Sequence, residues 1–351
     1  MRVSAVHNIT RITIKQVAAQ AGVSTQTVSR VLNDRPDVSP ETRIRVQQTI
    51  DRLAYKPSAV ARSLIGRRTH TIGVVGSSIE YFGPSTTLVG IEKEAAESGF
   101  SVLLALVHEP DTENIRPVLE DMLSRQVEGI IWAVPEIGRN HEWVDALAVP
   151  ALPIVFLTMA TRPNQPSVSV DNRLGGRLAT EHLLASGYRH LGLITGPLSW
   201  WEARERKLGW EEALSEAGLR IEARQVVNGD WSAASGEQGF EKLRAQFPEM
   251  DALFASNDQM AQGVLHAAWT ANLRVPDDLA VVGFDDIPEA LYFIPSLTTV
   301  RQQSAELGRT AVRMLNSLIQ EWHQTGRVPE VEPIRLEPDL VNRKSSVAHE
   351  G

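Results

Sequence analysis

TIKQVAAQAGVSTQTVSRVLNDRPDVSPETRIRVQQTIDRLAYKPSAVARSL, residues 13–64, decides how the rest of the chain is read. Ile14, Val17, Ala18 and Ala21 recur at helical spacing, Gly22 permits a tight turn, and Val28, Val31 and Leu32 give a second helix its buried stripe. A third helix is predicted to begin at Ser39, where Pro40 and Glu41 follow a capping hydroxyl. Such a trihelical unit leaves Thr25, Gln26, Ser29 and Arg30 facing outward from the second helix. A helix lying in the major groove reads base edges with the side chains of its first turns, Gln pairing with adenine and Arg with guanine. Thr13, Ser24, Thr27, Ser39 and Thr42 stand at helix entrances, where their hydroxyls suit either capping of backbone amides or contact with phosphate oxygens. Arg30 has two readings as well, a solvated charge or a base contact.

After Leu53 the helical pattern breaks at Tyr55, Lys56 and Pro57, and SAVARSLIG (58–66) follows. Its Ala59, Val60, Ala61, Ser63 and Leu64 make about two turns of helix, too short to hold alone in water. An apolar side chain such as Leu64, presented by paired helices, suits a wedge between base steps in the minor groove. The other reading of the segment is a plain tether.

Charge divides the chain. Residues 1–68 carry 12 Lys and Arg against 4 Asp and Glu, while the remainder carries 23 against 39, so a head of +8 precedes a body of −16 within a chain of 351 residues and net −8. A basic head on an acidic body suits a protein whose head alone meets phosphate. The absence of cysteine excludes disulfides and thiolate metal sites. No apolar stretch has the form of an export signal or the length of a membrane span, so a cytoplasmic protein with no membrane partner is expected.

From Thr71 onward short apolar runs alternate with amphipathic stretches, the pattern of parallel strands joined by crossover helices. Strands are predicted at TIGVVG from Thr71, SVLLALV from Ser101, GIIWAV from Gly129, PIVFLT from Pro153, HLGLITG from His190, DALFAS from Asp251 and LAVVGFDD from Leu279, with helices over 173–186 and 202–217. Two doubly wound lobes fit this count better than one large sheet, with crossings near Val170 and Thr298–Gln302 and a cleft between the lobes. Ligands of such sheets sit beyond the carboxyl ends of the strands, which points to Ser77, Ser78, Thr158, Asn257, Asp285 and Asp286 as contacts or helix caps. Arg206 is an exposed partner of Glu202 or Glu205, or a planar fork for hydroxyls. Trp231 is a core filler or an aromatic plate for a sugar's C–H face. Trp210 and Trp132 read as core.

These motifs resemble the lactose-repressor/galactose-repressor family of transcriptional regulators over nearly the whole chain. AGVSTQTVSRVLN resembles its helix-turn-helix, PSAVARSL its hinge helix, and GPLSWWEARERKLGW, GDWSAASG, ASNDQMAQG, VVGFDD and PSLTTVRQ its effector-binding core. The stretch from Leu193 to Gln302 is most similar to the lactose-binding member. The resemblance implies an α/β chain with an all-α helix-turn-helix head at 1–56, a hinge helix and linker at 57–69, and a two-lobed, periplasmic-binding-protein-like body at 70–351. Lobe one is then 70–170 with 303–329, and lobe two 171–302 with 330–345. It implies that Thr25, Gln26 and Arg30 read operator bases and Leu64 intercalates, with Thr13, Ser24, Thr27, Ser29, Asn33, Ser39, Ser58 and Ala61 in the same DNA interface. Ser77, Thr158, Arg206, Trp231, Asn257, Asp285 and Gln302 are then the effector contacts.

The expected function is repression of carbohydrate-utilisation genes, relieved by a small sugar, with no cofactor and no metal. Thr158 stands where the lactose-binding member has an acid and Ala133 where it has an amide, so a sugar other than a lactose-like galactoside is expected. No apolar heptad follows EPIRLEPDLVNRKSS, so a homodimer on a pseudo-palindromic duplex is expected. A sugar-binding transport protein or a corepressor-type regulator would share the body. Enzyme activity has no support in the sequence, which has no nucleophile elbow, paired-His spacing or phosphate loop.

Overall fold

The computed structural model describes residues 12–32, 34–55, 68–110, 115–143, 152–160, 162 and 164–347. Contacts divide the chain into two units, Met1–Thr69 and His70–Gly351.

In the first unit, α1 (Ile14–Ala21), α2 (Thr25–Leu32) and α3 (Pro40–Arg52) enclose Val17, Ala18, Ala21, Val28, Val31, Val46 and Ile50. Local chemistry fixes each end. Thr13 and Gln16 form a reciprocal capping box on α1, and Gly22 takes the left-handed conformation, φ 67°, that ends it. Short helices of this length depend on the shared core for their order.

The second unit holds two six-stranded sheets. Sheet one contains β1 (Thr71–Gly76), β2 (Ser101–Leu106), β3 (Ile130–Ala133), β4 (Ile154–Leu157), β5 (Ser167–Val170) and β11 (Ile334–Leu336), in the order β11-β5-β4-β3-β1-β2. Sheet two contains β6 (Leu191–Thr195), β7 (Val226–Asn228), β8 (Ala252–Ala255), β9 (Ala280–Asp285), β10 (Thr298–Arg301) and β12 (Asp339–Val341), in the order β12-β10-β9-β8-β6-β7. All pairings are parallel except β10 with β12.

Alternation along each strand sends side chains to two apolar layers. Ile131, Val155 and Leu157 join the helices α4 (Phe82–Glu97) and α10 (Ser304–Thr325), while Ile130, Trp132, Ile154 and Phe156 pack the other face with Met122 of α5 (Arg116–Ser124). Sheet two is covered in the same manner by α6 (Asn172–Ala185) and α7 (Trp201–Glu216) on one face and by α8 (Ala233–Gln246) and α9 (Asp258–Thr270) on the other. Trp210 and Trp132 are core residues, 0% and 3% exposed.

The chain enters sheet two after Val170 and leaves it after Arg301. The segment 330–345, expected whole in lobe two, is divided. Ile334–Leu336 instead extends sheet one beside β5, and only Asp339–Val341 pairs in sheet two. Three-residue edge strands carry too little apolar pattern to reveal their sheet. Among the described residues no helix is long and apolar enough to cross a membrane.

Candidate functional site

In each sheet the strand order reverses beside the first strand, between β1 and β3 in sheet one and between β6 and β8 in sheet two. Loops leave a doubly wound sheet in opposite directions at such a point and open a crevice at the strands' carboxyl ends. A cleft of about 1130 Å³, counting its open mouth, lies at these ends. Thr158, Arg206, Trp231, Asn257, Asp285 and Gln302 all line it. Ser77 does not; Ser78, one residue further into the turn after β1, lines the cleft in its place.

Arg206 forms the floor. It is 5% exposed, its Nε donates to Asn172 Oδ1 at 2.8 Å, one terminal nitrogen donates to the Ser256 carbonyl, and that nitrogen lies 3.9 Å from Asp285 Oδ1. Its guanidinium also lies 3.6 Å from the centroid of the Phe284 ring. A close crossing of α6 and α7 makes this reach possible, because a Cβ on Gly176 would stand 2.1 Å from the Arg206 carbonyl oxygen. Of the two readings of Arg206, the exposed helical ion pair gives way to a buried guanidinium held in a fixed network at the cleft. Burial pulls the Arg206 pKa down and pushes the Asp285 carboxyl up to about 6. Desolvation outweighs the attraction of an ion pair at this separation.

Asp285 also accepts from Gln302 Nε2 at 2.5 Å. Beneath it, Asp258 accepts from Thr299 Oγ1 at 2.6 Å and from the Ile287 amide at 2.8 Å; burial, then the neighbouring Asp285, holds its carboxyl well above the ordinary range. Asn257 caps α9 through Oδ1 and donates from Nδ2 to the Trp231 carbonyl at 2.9 Å. Gly196 makes room for the Trp231 indole, since a Cβ there would stand 2.2 Å from the ring.

Thr158, Trp231 and Asp285 hold positive φ angles of 56°, 75° and 119°. Each such conformation costs about 1–3 kcal/mol and persists only where neighbours over-determine it. Next to Asp285, Asp286 is fixed by Arg301 at 2.7 Å and Arg343 at 2.6 Å.

Three polar atoms of cleft-lining residues, Ser169 Oγ, Glu202 Oε2 and Trp231 Nε1, are shielded from solvent and have no hydrogen-bond partner. Tyr81 and Trp200 extend an aromatic wall from Trp231, with ring centroids 6.3 Å apart between Tyr81 and Trp200 and 5.9 Å between Trp200 and Trp231. Sequence reasoning missed Tyr81, Ser169, Asn172 and Trp200 as cleft residues and treated Glu202 only as a partner for Arg206. The repeated Trp of GPLSWWEARER was the available signal.

In the first unit Thr25, Gln26 and Arg30 are exposed and Ser29 is half-buried. Ser24 Oγ accepts from the Thr27 amide at 3.1 Å, and Ser39 caps α3, so these hydroxyls have capping partners, as does Thr13. Arg30 forms an exposed ion pair with Asp37 at 3.3 Å, a contact weak enough for a phosphate or guanine to displace. Asn33, Ser58, Ala61 and Leu64 lie outside the described residues, as does most of the 57–69 hinge.

A two-lobed binding body preceded by a helix-turn-helix defines a ligand-responsive DNA-binding regulator. Residues 13–58 match the bacterial regulatory proteins, lacI family, and residues 180–346 match the periplasmic binding protein-like domain. The lactose operon repressor of Escherichia coli (strain K12) is 35% identical over 337 residues, covering 96% of this chain and 91% of that protein. The HTH-type transcriptional repressor PurR of Haemophilus influenzae is 34% identical over 336 residues, 95% and 98% of the two chains. Among solved structures, a lac repressor dimer bound to operator and the anti-inducer ONPF matches with TM-score 0.85 at 34% identity, covering 96% of this chain and 99% of that one. The complex of transcriptional regulator CelR with cellobiose matches with TM-score 0.70 at 30% identity, covering 95% and 100%. The chain belongs to the lacI family of bacterial regulatory proteins: it is a DNA-binding transcriptional repressor governed by a small-molecule effector.

Proposed function

We propose that this protein is a cytoplasmic dimer that represses carbohydrate-utilisation genes and leaves its operator when a small sugar enters the cleft. The observation that carries this reading is the convergence of polar groups from both sheets on one cleft with an aromatic plate. Asp285, Arg206, Asn257 and Gln302 offer the paired donors and acceptors that vicinal hydroxyls require, and Trp231 offers a face to the sugar's C–H surface. The solved complex with cellobiose and the lactose operon repressor support a carbohydrate over other small molecules. Thr158 and Ala133 favour a sugar other than a lactose-like galactoside.

Each head reads one half of a pseudo-palindrome through Thr25, Gln26 and Arg30, with Leu64 wedged at its centre. A sugar bridging the sheet-two floor to Ser78, Thr158 and Ser169 of lobe one favours a body arrangement that separates the hinge segments. The ligand shifts operator binding only by its difference in affinity for the two arrangements, so tenfold release needs about 1.4 kcal/mol. The test selects bound duplexes from a randomised pool and then titrates mono- and disaccharides into the labelled complex. Release by a sugar is expected. Tightening would establish corepression instead, and indifference to every palindrome would overturn the repressor reading.

A further inference from the structure

We propose that the effector is a cationic, amino-substituted carbohydrate whose ammonium is received by Glu202 beside the aromatic wall of Tyr81, Trp200 and Trp231. The inference rests on the carbohydrate reading above and narrows it.

Glu202 stands in the first turn of α7 and lines the cleft. Its Oε2 is out of contact with solvent and has no hydrogen-bond partner. The cations near it are committed elsewhere. Arg206, one turn along the same helix, is held by Asn172, the Ser256 carbonyl and Asp285. Arg204 faces Glu136 of lobe one at 3.6 Å, and Glu136 also pairs with Arg162 at 3.3 Å. The charged residues lining the cleft are thus Glu202 and Asp285 against Arg206 alone, an excess of one carboxylate among the described residues. A sugar phosphate or sugar acid entering this cleft meets repulsion, whereas a cation removes the imbalance. A neutral hydroxyl can hydrogen-bond Glu202 but brings no charge to offset its ionised form.

The aromatic wall is a second, independent feature. Tyr81 meets Trp200 at 88° between ring planes, and Trp200 meets Trp231 at 69°, so the three rings turn their faces in different directions. The Trp231 ring already has the Arg206 guanidinium 5.5 Å from its centroid, and an aromatic face open to the cleft attracts an ammonium in the same way through its quadrupole. Burial lifts the Glu202 carboxyl to about 7, against a hydrogen bond from its own backbone amide and the pulls of Arg206 and Arg204, and with a reinforcing push from Glu136. The group is therefore held at the edge of ionisation, where an arriving cation fixes its charge.

The test compares glucosamine with glucose, galactosamine with galactose, and the disaccharide of glucosamine with cellobiose, together with each N-acetyl derivative. Binding to the full-length protein is measured by thermal shift and calorimetry at about pH 6.5, where the amines are protonated. At least one free amine is expected to bind about tenfold tighter than both its neutral parent and its N-acetyl form, a difference of ~1.4 kcal/mol. Glu202→Gln, checked for folding by its unliganded melting curve, is expected to bring the amine, its neutral parent and its N-acetyl form to within about twofold of one another. No advantage for any amine, or an advantage that survives in Glu202→Gln, overturns the proposal. Neutral sugars binding with no amine preference would leave the carbohydrate reading standing, whereas failure of every carbohydrate would remove both.

Discussion

Replacing Glu202 with Gln tests the electrostatics of the cleft without any ligand. Gln keeps the size and hydrogen-bonding reach of the side chain but stays neutral at every pH. Burial raises the Glu202 carboxyl from its ordinary 4.5 to about 7 in the folded body, which corresponds to about 3 kcal/mol between the protonated and ionised forms. Water at the open mouth of the cleft screens part of this, so about 3 kcal/mol is an upper bound. Because the folded pKa lies above the unfolded one, the native state holds its proton more tightly. Stability linked to Glu202 is complete below pH 4.5 and is lost as pH rises through about 7. Glu202→Gln should therefore match the parent near pH 4.5 and exceed it by up to about 3 kcal/mol at pH 8. Urea unfolding followed by tryptophan fluorescence reads this difference in the body alone, since all eight tryptophans lie between positions 132 and 322. Asp285 and Asp258 also titrate from raised positions but are present in both proteins, so they drop out of the comparison. Equal stabilities at pH 8, or a gain of the same size at pH 4.5, would refute the assignment of Glu202 as a desolvated acid.

Other outcomes follow from the same geometry. Arg206→Ala leaves Asp285 buried without its cation and should destabilise the body by about 3–5 kcal/mol while abolishing the effector response; Arg206→Lys should not restore that response, because an ammonium lacks the fork that spans Asn172, Ser256 and Asp285. Urea titration and operator-release assays check both. Gly176→Ala places a methyl 2.1 Å from the Arg206 carbonyl oxygen and should cost about 1–3 kcal/mol in the same unfolding assay, with weaker effector binding as α7 shifts. In the head, Gln26→Ala and Arg30→Ala should each relax preference at one base position per half-site by about 1–3 kcal/mol, whereas Arg67→Ala should weaken all sequences alike and flatten the salt dependence. Selection on randomised duplexes separates these effects, and equal losses across all three variants would undo the base-contact assignment.

How far the sequence carries depends on how local the physics is. The head is legible because its signals are short-range: Thr13 caps and Gly22 stops α1, Ser39 caps α3, and the helical spacing of Val28 and Val31 marks one buried face. Strands with both faces buried announce themselves as apolar runs, and Asn257 and Asp285 are legible as polar residues at the ends of such runs. Edge strands such as Val226–Asn228 and Ile334–Leu336 have neither length nor pattern, and the sheet they join is set by the returning chain. The choice of Ser78 over Ser77 turns on one residue of loop geometry after β1.

Glu202 was illegible for a stronger reason. Four residues before Arg206 it has the spacing of an ordinary helical ion pair, and only contact between α6 and α7, with Asn172 and Asp285 brought in from elsewhere in the chain, shows that Arg206 is engaged in the floor. The fold needs Arg206 where it is, because Ser256, Asn172 and Asp285 lose their partner without it. At position 202 the first turn of α7, its backbone amide and Arg206 favour an acid, but burial works against the ionised form more strongly than these favour it. A residue whose charge burial resists and whose Oε2 has no hydrogen-bond partner is the cleft position at which an amino-substituted effector would be told from a neutral one, whereas the floor of Arg206 and Asp285 would serve either.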